Sequence, residues 1–176
     1  MLYHVTMSLD GYIAGPDDDM SWLAGHVGPN PLVDEFLPNL GALLIGAHTF
    51  GLAATAGGAP YGGVWTGPMF VLAPPPDPAP AGFQFVAGDL DAAVSTAKAA
   101  AGDKYVAILG ANVAKRCLEA GLLDEILVHV APLMLGDGTR LFEHAGGTNV
   151  ALERIRDSST PQAVNLWYRV AQRDRP

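Results

Sequence analysis

Cysteine, basic side chains and long apolar runs are scarce in this sequence, and each shortage excludes a class of protein. The single cysteine, Cys117, leaves no internal disulfide, and its place on a helical apolar face favours packing over a nucleophilic role. Ten lysines and arginines against 18 acidic residues give a net charge of −8, so no nucleic-acid partner is expected. No apolar run reaches the roughly 18 residues of a membrane span, and no membrane partner is expected either.

Patterns typical of several enzyme classes are also missing. The five histidines show neither H-x-H nor H-E-x-x-H spacing, so we predict no metal site. There is no G-x-S-x-G elbow and no complete P-loop, which leaves hydrolase and NTPase functions without support. The first residues read as a strand rather than as a basic region followed by an apolar block, and we expect a cytoplasmic protein.

The sequence is rich in apolar residues, which make up 49% of its 176 positions and suffice for one domain (1–176) with a sizeable core. Strands are predicted at 1–8, 42–45, 69–73, 83–86, 106–109, 125–133, 150–157 and 163–171. Helices are predicted at 31–40, from a start at 46–50, at 90–101 and from 112 to 120, with loops at 53–67 and 74–80. This order predicts a three-layer α/β fold: a mostly parallel central sheet, helices on both faces, and a C-terminal antiparallel hairpin.

Three of these elements carry more specific predictions. Asn30 is expected to cap the helix that begins at Pro31, and Asp89 the helix that ends before Gly102. In the last strand, alternation predicts that one face is shared by Val164, Leu166, Tyr168 and Val170.

The stretch from Tyr105 to Gly138 contains a strand, a glycine turn, a helix and a second strand. Asn112 is predicted to cap this helix, and Gly121 to end it in the left-handed conformation. Such a helix start directs unpaired N–H groups and a positive dipole end above the sheet, where we expect a phosphate group, although tight packing alone also explains small residues there. The segment Gly46–Phe50 repeats the arrangement and predicts a second anion-binding corner at the same sheet edge.

Four motifs together resemble the dihydrofolate reductase-like family. They are Ser8–Ala14 (SLDGYIA), Leu44–Phe50 (LIGAHTF), Gly121–Glu125 (GLLDE) and Ala131–Gly138 (APLMLGDG). The closer likeness is to the branch related to the reductase domain of bacterial riboflavin biosynthesis, the RibD C-terminal domain. It runs over nearly the whole chain in the expected order.

The resemblance implies a nicotinamide cofactor across the sheet edge, with NADPH as the usual form. By matching positions, the nicotinamide carboxamide would lie at Thr6, Ile13 and Ala14. The pyrophosphate would lie between Gly46, His48 and Thr49 on one side and Gly110, Ala111, Asn112 and Val113 on the other. The adenosine would lie beside Leu72 and Ala73.

Two positions depart from the family pattern. Ala47 stands where the family usually has an arginine or lysine that reaches the ribose 2′-phosphate, so NADH is an alternative to NADPH. Ala111 stands where the family usually has a second glycine after Gly110, and a strained peptide would cost more there with a side chain present.

The resemblance also supplies candidates for catalysis, each with a structural alternative. Asp34 and Glu35 lie on the helix where folate reductases place a substrate-binding acid, but an exposed helix face explains them equally. His129 is a candidate proton donor or a hydrogen-bonded core histidine, and His4 has the same two interpretations. Asp10 is expected to turn inward and order the loop that follows it.

The resulting prediction is an NAD(P)H-dependent reductase that transfers hydride to a small pteridine- or pyrimidine-like heterocycle, as the uracil reductase of riboflavin biosynthesis does. The alternatives are a catalytically inactive nucleotide-binding or scaffold homologue and a true dihydrofolate reductase. Pairing through an edge strand near the C-terminal hairpin would give a homodimer.

Overall fold

A computed structural model describes residues 1–56, 60–143 and 149–171 of the chain. The strands are β1 (Leu2–Ser8), β2 (Tyr12–Ala14), β3 (Leu40–Gly46), β4 (Met69–Leu72), β5 (Gln84–Phe85), β6 (Tyr105–Leu109), β7 (Glu125–Ala131), β8 (Thr139–Arg140), β9 (Leu152–Ser159) and β10 (Val164–Val170). The α-helices are α1 (Pro31–Phe36), α2 (Ala47–Ala56), α3 (Leu90–Ala101) and α4 (Ala111–Glu119). Short 3-10 turns lie at Pro16–Asp18, Ser21–Leu23, Leu37–Asn39 and Pro60–Gly63.

Eight of the strands form one sheet in the order β5-β4-β3-β6-β1-β7-β10-β9, and β2 pairs with β8 in a small second sheet. Within the large sheet β10 is antiparallel to both neighbours, and the other pairs are parallel. The predicted mostly parallel sheet with a C-terminal hairpin is therefore confirmed. The strand β9 forms one edge, and the homodimer expected from pairing there stays a prediction.

Helices cover both faces of the sheet because alternate strand residues point to opposite sides. On one face, Leu32 and Phe36 of α1 pack against a cluster that includes Leu43 and Leu127. On the other face, α3 and α4 pack on a cluster that contains Cys117, which is fully buried. Burial raises the pKa of the Cys117 thiol to about 11, which agrees with a packing role.

Two helix ends differ from the sequence prediction. The helix α1 ends at Phe36 and gives way to a 3-10 turn, because Pro38 has no N–H to continue the ladder. The strand that follows therefore begins at Leu40, earlier than predicted. The helix α2 continues to Ala56, so the predicted loop at 53–67 is wrong in its first part, while 57–59 lie outside the described residues.

The helix α4 begins one residue earlier than predicted and ends as predicted. Gly110 is its N-cap residue, at φ 115°, so Asn112 lies inside the first turn and is not the cap. At the other end Gly121 has φ 68°. There Gly121 N–H donates to Leu118 O at 3.1 Å, and Leu122 N–H donates to Cys117 O at 2.7 Å. This pair of bonds is a Schellman motif, which requires the left-handed residue.

The strand β10 is buried on both faces. Leu166 and Val170 pack on the same core cluster, as the alternation predicts, and Trp167 packs on the cluster of the opposite face. Asn165 is fully buried and Trp167 is 4% exposed, whereas Val164 is 49% exposed. The pairing with β9 skips Ile155 between Trp167 and Tyr168, while the pairing with β7 is regular.

Candidate active site

Two neighbouring cavities open at the carboxyl ends of the central strands. The larger, of about 610 Å³, lies beyond β1, β3 and β6 and is closed on one side by β2 and β8. The smaller, of about 380 Å³, lies between α1, β7 and the turn that precedes β10. His4, Thr6 and Tyr61 line both cavities and so form the wall between them.

The two predicted glycine corners lie side by side, but only one of them lines the larger cavity. The strands β3 and β6 are parallel neighbours, with Ile45 opposite Leu109, so Gly46 and Gly110 leave the sheet side by side. A Cβ atom on Gly110 would lie 2.5 Å from Thr49 Oγ1 and 3.8 Å from the Gly46 nitrogen. A Cβ atom on Gly46 would lie 3.1 Å from Val113 Cγ2. Gly110 therefore needs to be glycine and lines the cavity, whereas Gly46 is buried against Val113 and is not part of the lining.

The helix α4 directs its first turn at this space. Gly110 has no side chain to cap the first N–H groups of the helix, which have no intrahelical acceptor. Gly110 and Ala111 both line the cavity. The arrangement leaves backbone donors and the positive end of a helix dipole available to an anion.

The predicted cofactor residues are distributed unevenly around the larger cavity. Six of them line it: Thr6, Ile13, Ala14, Thr49, Gly110 and Ala111. Leu72 pairs with Gly46 at the end of β4, and Ala73 follows it. Val113 is buried beneath Gly46, whereas Asn112 is exposed. His48 is an exposed side chain that forms an ion pair with Asp18 at 2.9 Å, and it does not line the cavity.

Asp10 orders the loop that joins β1 to β2. Its carboxylate accepts hydrogen bonds from Ser8 Oγ at 2.6 Å, Leu135 N at 3.1 Å and Gly136 N at 2.7 Å. The Ser8 hydroxyl, followed by the two backbone N–H groups, lowers the Asp10 pKa to about 2. This confirms its expected structural role. It fixes the segment from which Ile13 and Ala14 line the cavity.

A chain of hydrogen-bonded side chains runs through the wall into the smaller cavity. His4 Nδ1 lies 2.9 Å from Tyr61 Oη, and His4 Nε2 lies 2.7 Å from His129 Nε2. His129 Nδ1 lies 2.7 Å from Asn165 Oδ1. The strand register explains the last contact, because His129 is directly opposite Asn165 in β10. We call these four side chains the polar chain.

The cap of α1 orients the amide at one end of the polar chain. Asn30 Oδ1 accepts from Leu32 N at 3.0 Å, so the Asn30 amide nitrogen is directed at Asn165 Oδ1 at 2.7 Å and at His129 Nδ1 at 3.1 Å. Since the acceptor Asn165 Oδ1 lies nearer to His129 Nδ1, at 2.7 Å, we assign the proton to His129 Nδ1 and the acceptor role to His129 Nε2. In this assignment His4 donates through Nε2, and its Nδ1 accepts from the Tyr61 hydroxyl.

Both histidines are held neutral. Burial, followed by repulsion from His129, lowers the His4 pKa to about 3. Burial also lowers the His129 pKa, and the hydrogen bond to Asn165 offsets part of that shift. No carboxylate belongs to the polar chain, so nothing within it stabilises an imidazolium ion.

Comparison with known proteins identifies the fold of this chain. Residues 79–164 match the RibD C-terminal domain family. A Shewanella sp. PV-4 protein, named for riboflavin biosynthesis, has a TM-score of 0.79 at 21% identity, covering 97% of this chain and 98% of its own. The dihydrofolate reductase of Enterococcus faecalis, complexed with NADP(H), has a TM-score of 0.60 at 15% identity, covering 99% and 97%. The chain has the dihydrofolate reductase-like fold.

A third neighbour is a two-part protein. It is the Thermotoga maritima diaminohydroxyphosphoribosylaminopyrimidine deaminase/5-amino-6-(5-phosphoribosylamino)uracil reductase, with a TM-score of 0.69 at 12% identity. The alignment covers 97% of this chain but 56% of that one, so this chain spans little more than half its length. No curated protein matches the sequence. The resemblance to the dihydrofolate reductase-like fold and to the RibD C-terminal domain is thus confirmed.

Within this dihydrofolate reductase-like fold, the two candidate acids of α1 lie outside both cavities. Asp34 is exposed, and Glu35 pairs with Arg156 at 2.7 Å on the surface. The same segment presents Val33 and Leu37 to the smaller cavity instead. These two acids lie on the exposed face of the helix, which was the alternative interpretation of the sequence.

His129 is the hydrogen-bonded core histidine that was one of the two interpretations of the sequence, and its role as a proton donor stays a prediction. It is a hydrogen-bonded core histidine, 6% exposed, and it also lines the smaller cavity. Asn165 was missed as a site residue, because it lies 36 positions from His129 in the sequence. The one available signal was a polar residue, Asn165, between apolar neighbours in a strand.

The described part of the chain contains neither a metal-binding cluster nor a membrane-spanning helix. Within residues 1–56, 60–143 and 149–171, no three His, Cys, Asp or Glu side chains are grouped so that they could hold a metal ion. Over the same ranges, no helix has the length and apolar character needed to cross a membrane.

Proposed function

We propose that the protein is a nicotinamide-dependent reductase that transfers hydride to a small heterocyclic substrate. The observation that carries this proposal is the uncapped start of α4, where Gly110 and Ala111 line the larger cavity beside the end of β3. A glycine at the start of this helix allows a diphosphate to approach the backbone closely, and the helix start favours its negative charge.

The residues present fit a dinucleotide. The diphosphate would be held by backbone N–H groups at Gly110 and Ala111, the two residues at the start of α4 that line the larger cavity. The nicotinamide end would be held beside Thr6 and the Ile13–Ala14 segment. When bound, the reduced nicotinamide supplies a hydride.

The chain itself would bind, orient and shield the reactants. The smaller cavity shares the wall formed by His4, Thr6 and Tyr61, so a substrate there would lie next to the nicotinamide end of the larger one. Alignment of two reactants in a site that excludes water provides a large part of hydride-transfer catalysis. The named activities of the Enterococcus faecalis and Thermotoga maritima neighbours support this reaction class.

A direct test is titration of the full chain with NADPH and NADH, followed by heat or by nicotinamide fluorescence. We expect saturable binding of at least one. Absence of binding of both at millimolar concentration would remove the proposal. Binding without turnover across a broad substrate panel would instead favour the inactive nucleotide-binding homologue, which the absence of charged side chains from the smaller cavity's lining also favours.

The choice between NADPH and NADH depends on Ala47, which is exposed at the start of α2 and offers no cation to a 2′-phosphate. Replacement Ala47→Arg should raise NADPH affinity relative to NADH by about 10-fold, through one charge-assisted hydrogen bond. Ala92→Arg, which adds the same charge on the exposed face of α3, is the control and should leave the ratio unchanged.

A further inference from the structure

The smaller cavity is lined without a single charged side chain. Among the described residues that line it, none is Asp, Glu, Lys or Arg. Its polar groups are imidazoles, hydroxyls and amides, contributed by His4, His26, His129, Thr6, Tyr61, Thr160, Asn30 and Gln162. The larger cavity differs, because Asp18 is part of its lining.

The polar chain keeps this cavity uncharged. The bond from Leu32 N–H to Asn30 orients the Asn30 amide toward Asn165 Oδ1, and the protons assigned to His129 and His4 follow from this orientation. An added proton on either histidine would have to displace one of these bonds and would lie beside the other ring. Two other titratable groups line the cavity with His4 and His129. They are Tyr61, from the 60–63 turn, and His26, from the loop before α1, and neither is an acidic side chain.

One polar atom in the lining still lacks a partner. His26 Nδ1 is buried and has no hydrogen-bond partner within the described residues. A buried polar group without a partner costs free energy, and a polar group of a bound ligand would remove that cost. His26 lies in the same cavity as the polar chain, so a ligand between them would contact both.

We propose that the smaller cavity takes an uncharged, non-phosphorylated heterocycle as the substrate of the proposed reductase. A phosphate or carboxylate placed there would lose its hydration without meeting a counter-ion. The cavity volume of about 380 Å³ is at the lower end of the range for small-molecule sites and suits a compact ring system. The reaction in this inference rests on the proposed function, whereas the absence of charge on the substrate is argued from the side chains that line the cavity.

The main test measures NAD(P)H oxidation by the full chain with matched pairs of heterocycles, each ring as the free nucleoside or base and as its phosphorylated form. The expected result is a kcat/KM about 100-fold or more higher for the uncharged member of any pair that reacts. Preference for a phosphorylated or carboxylated member would overturn the inference while leaving the reductase proposal intact.

A second measurement decides the matter even if no pair reacts. We expect the ring signals of His4, followed by NMR in the full chain, to show no protonation between pH 5 and 8. Protonation of this ring in that interval would make the cavity cationic and would overturn the inference. Failure of cofactor binding would overturn the reductase proposal alone, because the histidine titration does not depend on it.

A charge-introducing variant sharpens this measurement. Asn165→Asp places a carboxylate against His129 Nδ1 and should bring the His129 protonation into the neutral range, together with improved binding of cationic ring compounds. Asn39→Asp, an exposed position after α1, adds the same charge away from the cavity and should leave the His129 signal unchanged. An unchanged His129 titration in Asn165→Asp would contradict the assigned network.

Discussion

The two cavities share a wall but are built from different parts of the chain. The site proposed for the dinucleotide in the larger cavity is formed by backbone at Gly110 and Ala111, in the first turn of α4 beside the end of β3. The smaller is shaped by side chains that are far apart in sequence and joined by hydrogen bonds. The first arrangement is suited to a diphosphate, which backbone N–H groups recognise. The second is suited to a neutral ring, which side-chain donors and acceptors recognise.

This difference separates what is generic in the fold from what is particular to this chain. Any parallel sheet with glycine corners presents amides at its carboxyl edge. The polar chain instead depends on four side chains and on the cap that Asn30 gives α1, and changing any one of them changes the proton positions in the others. Variants at one cavity therefore test whether ligand binding at that cavity can be changed without changing binding at the other.

The largest effect is expected at the glycine corner of the larger cavity. Gly110→Ala would force a side chain into a φ of 115° and against Thr49 Oγ1, which should lower the free energy of unfolding by about 1–3 kcal/mol and weaken dinucleotide binding at least 10-fold. Urea unfolding and calorimetric titration measure the two effects. Gly102→Ala, at φ 60° with open space around it, is the matched control and should lose stability but keep binding. Equal binding by both variants would contradict the corner's role.

A smaller effect, confined to the other cavity, is expected from the polar chain. His129→Leu leaves His4 Nε2 and Asn165 Oδ1 without this partner, and the free energy of unfolding should fall by about 1–3 kcal/mol. Dinucleotide affinity should change little. The comparison variant is His48→Leu, which removes an exposed ion pair with Asp18 and should cost about 0.5 kcal/mol or less. If the two variants had the same free energy of unfolding, the polar chain would not contribute measurably to the stability of the fold.

The smallest effect is expected at Asp10, which orders the loop beside the larger cavity. Its folded-state pKa of about 2 lies below its usual value of 3.8, so its ionised form stabilises the fold above pH 4. That stabilisation is lost as the pH falls from about 4 through 2. The difference in free energy of unfolding between the wild type and Asp10→Asn should therefore become smaller over this interval, as measured by urea unfolding at several pH values. A difference in unfolding free energy that stays constant with pH would show that Asp10 has no such role.

The larger cavity was predictable from sequence because its determinants are local. A buried strand followed by glycine and a helix start appears twice, and parallel strands bring such corners to one edge. Gly121 was predictable for the same reason, since the left-handed end of a helix has a clear local pattern. The assignment of the cap to Asn112 failed because the N-cap is Gly110, at positive φ and two residues earlier.

The smaller cavity was not predictable because its determinants are not local. His4 and His129 are 125 positions apart, and Asn30 and Asn165 are 135 apart, so no spacing rule links them. Which ring nitrogen carries a proton follows from a helix cap that is known only once α1 lies beside β10. The expected acid at Asp34 failed to reach the cavity because the helix turns Val33 and Leu37 inward.

The most direct test of the account is a crystal structure of the chain grown with NADH or NADPH. The account predicts electron density for the diphosphate at Gly110, within hydrogen-bond distance of the Ala111 N–H, with the nicotinamide ring beside Thr6 and Ala14. A dinucleotide bound at any other surface, or a cavity occupied by Thr49 and Leu52 in place of the diphosphate, would contradict it.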